Sequence, residues 1–347
     1  MTTNPTPTRP WALTPKAKLR EIGYFLLAIA ISIFVVDVTP MKGKLAYFFT
    51  FFLCYGLITA GTQFAQRGKA AAQDALVKSL VALGVVITLL PIASILFTVI
   101  QKGLPGIHLT LFTKDMSMAT PTDPITNGGL LHAITGTLTL VAIALALSVP
   151  IGILTALYLT EVKGRFTNPI RFLVQAMSGV PSIVAGLFIL SSLVYPVTKE
   201  LSGLMGSFAL SILMIPTIAR TAEEMLRLIP SDLREAGVAL GATQWRTVSG
   251  VVLPAAKSGL VTAIILGVAR IIGETAPLLL VSGGGDALNM NPTSGAMGSL
   301  PYYIWKSFLT GGTEEAFARA WGGMLVLLAF IFILFGLARF LSGRKVG

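Results

Sequence analysis

Little in this chain could carry covalent chemistry. Among 347 residues there is one cysteine, Cys54, and there are two histidines, His108 and His132. A single cysteine excludes an intrachain disulfide, and inside an apolar run it reads as packing. The histidines have no Cys, His or carboxylate neighbours at ligand spacing, so they read as surface or span-end residues and no metal centre is expected. No Gly-x4-Gly-Lys-Ser/Thr stretch occurs, and Gly283-Gly284-Gly285 lacks the lysine, so the chain cannot cradle a nucleotide by itself. Charge is scarce too: 12% of residues, with 15 Asp and Glu against 26 Lys and Arg. No hydrolase or redox constellation is present, and the chain reads as a non-enzyme.

Apolar residues are what it has in excess. They make up 54% of the sequence and give a mean hydropathy of +0.80, a composition that no water-soluble fold could bury. Eight apolar segments reach the length of about 20 helical residues that a bilayer demands. They lie near 21–39, 45–64, 79–100, 131–160, 169–195, 204–221, 255–282 and 320–341, and the fold class expected is an all-α membrane protein. The net charge of +11 gathers between these segments, as an orientation signal and headgroup contact rather than a nucleic-acid surface. Most Lys and Arg fall in the 1–20, 65–78, 161–171, 220–257 and 339–347 stretches. That bias places both termini and the 222–254 loop in the cytoplasm. No small-residue cleavage site follows the first apolar run, so a retained span is expected, preceded by a Pro- and Thr-rich tail at 1–20 without fixed structure.

The 222–254 loop contains its own helix signals. Pro230 and Ser231 mark a start with Ser231 as N-cap, Asp232 and Glu235 fall in the first turns, and Gly241 stands where the helix should stop. Leu233, Ala236, Gly237 and Leu240 recur at i, i+3, i+4 and i+7, an apolar small-residue stripe on a helix too short to stand alone in water. Such a helix wants a groove to dock in, although an unmatched loop of this kind would more simply be a solvated hairpin. Thr243 suits the cap of a second short helix, and Pro254 suits the first turn of the next span.

The spacing of this loop is more specific than its composition. Glu235-Ala236-Gly237, three residues, Gly241, nine residues, then Val251-x-Leu253-Pro254 resembles the EAA loop of ABC importer permeases, with Gly237 for the second Ala and Val251 for Ile. The resemblance implies a type I ABC importer permease bundle in which Leu233, Glu235, Ala236, Gly237, Leu240, Gly241 and Pro254 couple the chain to a separate ATPase. The family usually has a six-span core, here residues 76–342. That leaves the hairpin at 21–75 as two extra N-terminal spans with no assigned transport role, and 343–347 as a cytoplasmic C-terminus.

The seventh apolar segment carries Arg270 and Glu274, four residues apart and so expected on one helix face. A mid-membrane arginine costs roughly 3 kcal/mol on insertion scales, which favours a bundle interior or water-filled path, with a purely structural ion pair as the alternative. A forked guanidinium at Arg270 suits a passing oxyanion, with Glu274 holding it between turnovers. Ala269-Arg270-x-x-Gly273-Glu274-Thr275-Ala276-Pro277-Leu278, together with Ile215-Pro216-Thr217-Ile218-Ala219-Arg220-Thr221-x-Glu223-Glu224, resembles the phosphate-specific ABC transporter permease of the A type. The resemblance covers roughly residues 75–342 and implies a transport site at Arg270, Glu274 and Thr275. It also implies a second permease of the C type, a pair of ATP-binding subunits supplying ATP and Mg, an external phosphate-binding protein and a bacterial plasma membrane. Three other readings stay open: a secondary anion carrier with Glu274 as proton site, a non-transport scaffold, and an importer of sulfate or molybdate.

The outer segments are read more plainly. Residues 101–130 are turn-rich with Pro105, Pro121, Pro124 and Gly128-Gly129, and the Tyr302-Tyr303-Ile304-Trp305 cluster fits interface anchoring or, less plainly, an external docking surface. Thr313 before Glu314 and Glu315 marks the capped start of the last helix. Small residues and prolines in spans four to seven, among them Gly136, Gly152, Pro150, Gly186 and Pro216, favour close helix packing around a pathway.

Overall fold

The computed structural model describes residues 15–40 and 42–341. The expected C-terminal segment 343–347 and most of the expected tail lie outside the described residues, while positions 15–20 of that tail already belong to a helix. Among the described residues no strand forms beyond a single bridge between Gly283 and Met297. Seven helices among the described residues are long and apolar enough to cross a membrane, or eight if one sharply bent pair counts as a single span.

The chain divides into two compact units, Met1–Phe97 and Thr98–Gly347. In the first, α1 (Pro15–Val38) and α2 (Lys44–Arg67) form an antiparallel hairpin. Arg20 donates to Gln66 at one end, and the Tyr47 hydroxyl donates to Asp37 over 2.7 Å at the other. Phe25 meets Phe51 edge to face, while Leu26, Phe49 and Leu53 stay exposed, as a lipid-facing surface requires. The third helix, α3 (Lys69–Gly103), runs unbroken through positions 75 and 76 and through Pro91, and the boundary between the two units falls near its end.

The second unit is built around α8 (Gly203–Arg227), the most buried of the spanning helices. α5 (Leu131–Leu157) packs along it on one side and α11 (Leu253–Ile271) on another. The approach is close because glycine faces the same side chain from both directions. A Cβ at Gly152 or at Gly267 would lie 2.7 Å from Ile218, which sits fully buried in α8. Membrane helices associate through such small-residue contacts, because lipid gives them no hydrophobic drive of their own.

Segments 101–130 and 282–313 are more ordered than their turn-rich composition suggests. The first contains a 3-10 turn at Leu104–Gly106 and α4 (Leu109–Thr113), and Leu111 and Leu130 are fully buried in one cluster with Tyr303. Tyr303, read from sequence as an interface anchor, is therefore core, whereas Trp305 beside it in α13 (Leu300–Thr310) is exposed. His132, a span-end residue at the start of α5, is buried edge-on against Tyr303. The last helix, α14 (Glu314–Leu341), starts where expected, with the Thr313 hydroxyl accepting from the Ala316 amide at 3.2 Å. Arg319 of this helix is 1% exposed and donates to the Thr120, Asp123 and Pro124 carbonyls.

Two expected spans are broken. The segment at 169–195 divides into α6 (Thr167–Ser178) and a run opening with α7 (Ser182–Ile189), bent by 106° at Gly179-Val180-Pro181. Proline lacks the N–H and forbids helical geometry just before it, so the chain turns there instead of continuing. The segment at 255–282 divides into α11 and α12 (Ala276–Val281), with Ile272–Thr275 between them.

Candidate functional site

α8 hands over to α9 (Ser231–Ala239) through Leu228-Ile229-Pro230. The N-cap is Pro230, in extended geometry, and Ser231 is the first helical residue; it does not cap the helix as its residue type suggested. At the other end the expected stop is present. Gly241 adopts φ +79°, its amide donates to Val238 O, and the Ala242 amide donates to Gly237 O, the paired bonds of a Schellman ending. Thr243 then caps α10 (Gln244–Thr247), accepting from the Arg246 amide. The five-residue π turn Val248–Val252 leads directly into Leu253 and Pro254 at the start of α11. A π turn at this point relieves the clash that proline imposes on the carbonyl four residues earlier.

No residue of α9 is buried. Leu233, Val238, Leu240 and Trp245 are all exposed, Leu240 at 89%, so the loop presents apolar side chains that the described residues leave uncovered or only partly covered. The stripe read from sequence needs one correction. Gly237 faces inward, where a Cβ would lie 2.5 Å from Thr247 Cγ2 and 2.7 Å from its hydroxyl. Glycine stands here for lack of room, and Glu235 and Ala236 remain on the exposed side.

What fixes this helix is an ion pair that sequence reasoning missed. Arg234 Nε and Nη2 donate to the Glu161 carboxylate at 3.0 and 2.9 Å, and its remaining donors reach the Ile229 and Leu226 carbonyls at 2.7 and 2.9 Å. Gln244 Nε2 donates to the Glu161 carbonyl at 2.6 Å. Glu161 sits in the π turn Tyr158–Val162 that ends α5, so one residue ties α9 and α10 to a spanning helix. A second carboxylate, Glu223 on α8, accepts from Arg171 of α6 and from Arg227. The available signal was the rarity of acids: Glu161 is a lone carboxylate at a span end facing an arginine-rich loop.

The other expected site lies at the break between α11 and α12. Arg270 occupies the last turn of α11 and pairs with Glu274, but Glu274 lies beyond the helix end, so the two do not share a helix face as their spacing suggested. The Glu274 amide donates to Ile271 O, and Thr275 leads into α12 without a side-chain cap. Ile271 and Ile272 anchor the break in the main core, while a Cβ at Gly273 would meet nothing within 4 Å. The Arg270 side chain is 42% exposed against 14% for Glu274, so the guanidinium stands on an open face of the unit. A half-exposed arginine keeps donors that Glu274 does not use, and these can bind a free oxyanion while the pair stays closed.

Residues 148–346 match the model of the "Binding-protein-dependent transport system inner membrane component" family, which covers α9, the charged break and the last span. A phosphate transport system permease protein, PstA 1, of Mycobacterium tuberculosis is 37% identical over 265 residues, 75% of this chain and 86% of that protein. PstA of Pasteurella multocida is 39% identical over 256 residues, 72% of this chain and 88% of the relative. A solved MetNI methionine ABC transporter in an inward-facing conformation aligns with 62% of this chain and 95% of that chain, at TM-score 0.48 and 20% identity. With the family model matched over residues 148–346 and relatives at 37–39% identity that are covered over most of their length, the chain belongs to the family of binding-protein-dependent transport system inner membrane components.

Proposed function

We propose that this chain is the membrane permease subunit of an ATP-driven inorganic phosphate importer. It forms half of the translocation path and couples that path to a separate ATPase. The observation that carries the reading is that a wholly unburied helix, α9, is pinned by Arg234 to the end of α5. The segment that follows α9 ends in the Arg270–Glu274 break. Leu233, Glu235, Ala236 and Leu240 meet the ATPase, Gly237, Gly241 and Pro254 shape the segment, and Arg270, Glu274 and Thr275 line the path. The open face at Arg270 is completed by a second permease subunit. An external phosphate-binding protein delivers the anion, and nucleotide with its Mg stays on the ATPase. The protein sits in the bacterial inner membrane with both termini in the cytoplasm, as a six-span core with two additional N-terminal spans. The relatives named for phosphate transport support the choice of anion.

The test is ATP-dependent uptake of labelled phosphate by vesicles holding all partners, with sulfate as competitor. Arg270→Gln is expected to abolish uptake while the ATPase still co-purifies. Normal uptake by that variant refutes the role of Arg270. Uptake that needs a proton gradient and no ATPase replaces the reading with a secondary carrier, and competition by sulfate widens the substrate.

A further inference from the structure

A cleft of about 690 Å³ lies between the π turn ending α5, the start of α6 and the junction of α8 with α9. Five cations line it: Lys163, Arg165, Arg171, Arg227 and Arg234. Two carboxylates answer them. Glu161 neutralises Arg234, and Glu223 serves both Arg171 and Arg227. Lys163 and Arg165 form no salt bridge among the described residues, and the Arg165 guanidinium lies 4.7 Å above the Phe166 ring. A concave site with this excess of positive charge concentrates anions, and forked guanidiniums favour phosphate oxygens.

We infer that this cleft is a binding site for a phosphate-bearing anion, with the headgroup of an anionic phospholipid as the occupant the surroundings favour. The volume is that of an ordinary small-molecule site and exceeds what one tetrahedral oxyanion fills. Val162, Phe166, Phe172 and Leu173, next in sequence to the cationic residues, are exposed apolar side chains. α6 is turned 106° from the run that follows it, so it lies across the direction of the neighbouring span with Phe172 and Leu173 free, as an interfacial amphipathic helix does. Because Arg234 and Ser231 form one wall, an occupant would touch the same residues that hold the docking helix. The proposal rests on the transport reading only for its cytoplasmic sidedness.

The test uses the purified full-length chain in detergent, without ATP or ATPase, so its outcome is independent of whether uptake occurs. Native mass spectrometry compares retention of phosphatidylglycerol with phosphatidylcholine, and equilibrium dialysis follows labelled inorganic phosphate. The variant Lys163→Asn with Arg165→Gln removes two charges and no ion pair. It is expected to weaken phosphatidylglycerol binding about thirtyfold relative to the wild type. Lys163→Arg with Arg165→Lys is expected to restore it, and matching thermal unfolding of both variants controls for folding. If inorganic phosphate alone binds and the neutralised variant loses it, the site stands with free phosphate as its occupant. Equal binding of both probes by wild type and neutralised variant overturns the site. So does phosphate binding that Arg270→Gln abolishes and the cleft variant leaves intact, since it then belongs to the path.

Discussion

At the scale of single residues, Gly237 and Thr247 illustrate how a motif position acquires its residue. Alanine suits a helix better than glycine by about 1 kcal/mol, yet overpacking a tight contact costs about 1 to 3 kcal/mol. With Thr247 only 2.5 Å from the added methyl, Gly237→Ala should lower stability by about 1 kcal/mol net, read by thermal unfolding in detergent. The double variant with Thr247→Ala should regain that loss, and failure to do so would mean the contact is not the cause. Asp115, in the loop before α5, offers a second residue-level case. The Ser117 hydroxyl and then the Leu288 amide hold its carboxyl below the usual carboxylate range. A depressed folded pKa contributes stability that is fully present above the unfolded value of about 3.9. That stability is lost as pH falls through the lower folded value. Asp115→Asn at neutral pH should therefore mimic the acid form and speed hydrogen exchange at the Leu288 amide.

At the scale of elements, local signals were legible and distant pairings were not. Thr243, Gly241, Pro254 and Thr313 occupy the positions their residue types dictate, because a cap or a stop is decided by neighbours three or four residues away. The breaks at Gly179–Pro181 and Ile272–Thr275 were hidden by apolar residues on both sides, which read as continuous spans. Glu161 and Arg234 are separated by 73 positions, and no periodicity links them. Their pair has a measurable weight. Arg234→Ala leaves a carboxylate that is 7% exposed without its partner, a loss of roughly 3 kcal/mol for a buried pair. Combined with Glu161→Gln the losses should fall short of additivity by about 1 to 2 kcal/mol. Additive losses in a double-mutant cycle would show that the pair does not hold α9, and ATPase co-purification should fall with the single Arg234 change.

For the whole molecule, the division into two units bears on which spans the transport machinery needs. The family match at 148–346 lies within the second unit, and the relatives cover about three quarters of this chain. α1 and α2 pair with each other through Phe25–Phe51, Tyr47–Asp37 and Arg20–Gln66, and α3 adds the Ser79 hydroxyl 3.4 Å from Phe52 O. A chain beginning at Lys69, just after the Gly68 turn, should therefore retain ATPase association and phosphate uptake in vesicles. Loss of both would assign the hairpin a structural part in the assembly. Within the second unit, the run Leu131–Val162 begins at the buried cluster around Tyr303, where Thr137 accepts the Leu300 amide, and ends at Glu161, the partner of Arg234 on α9. Its 32 residues make a rod of about 48 Å at 1.5 Å per residue. One continuous helical run thus joins the Glu161–Arg234 pair that holds α9 to the Thr137–Leu300 contact, so displacing either end of it bears on the other.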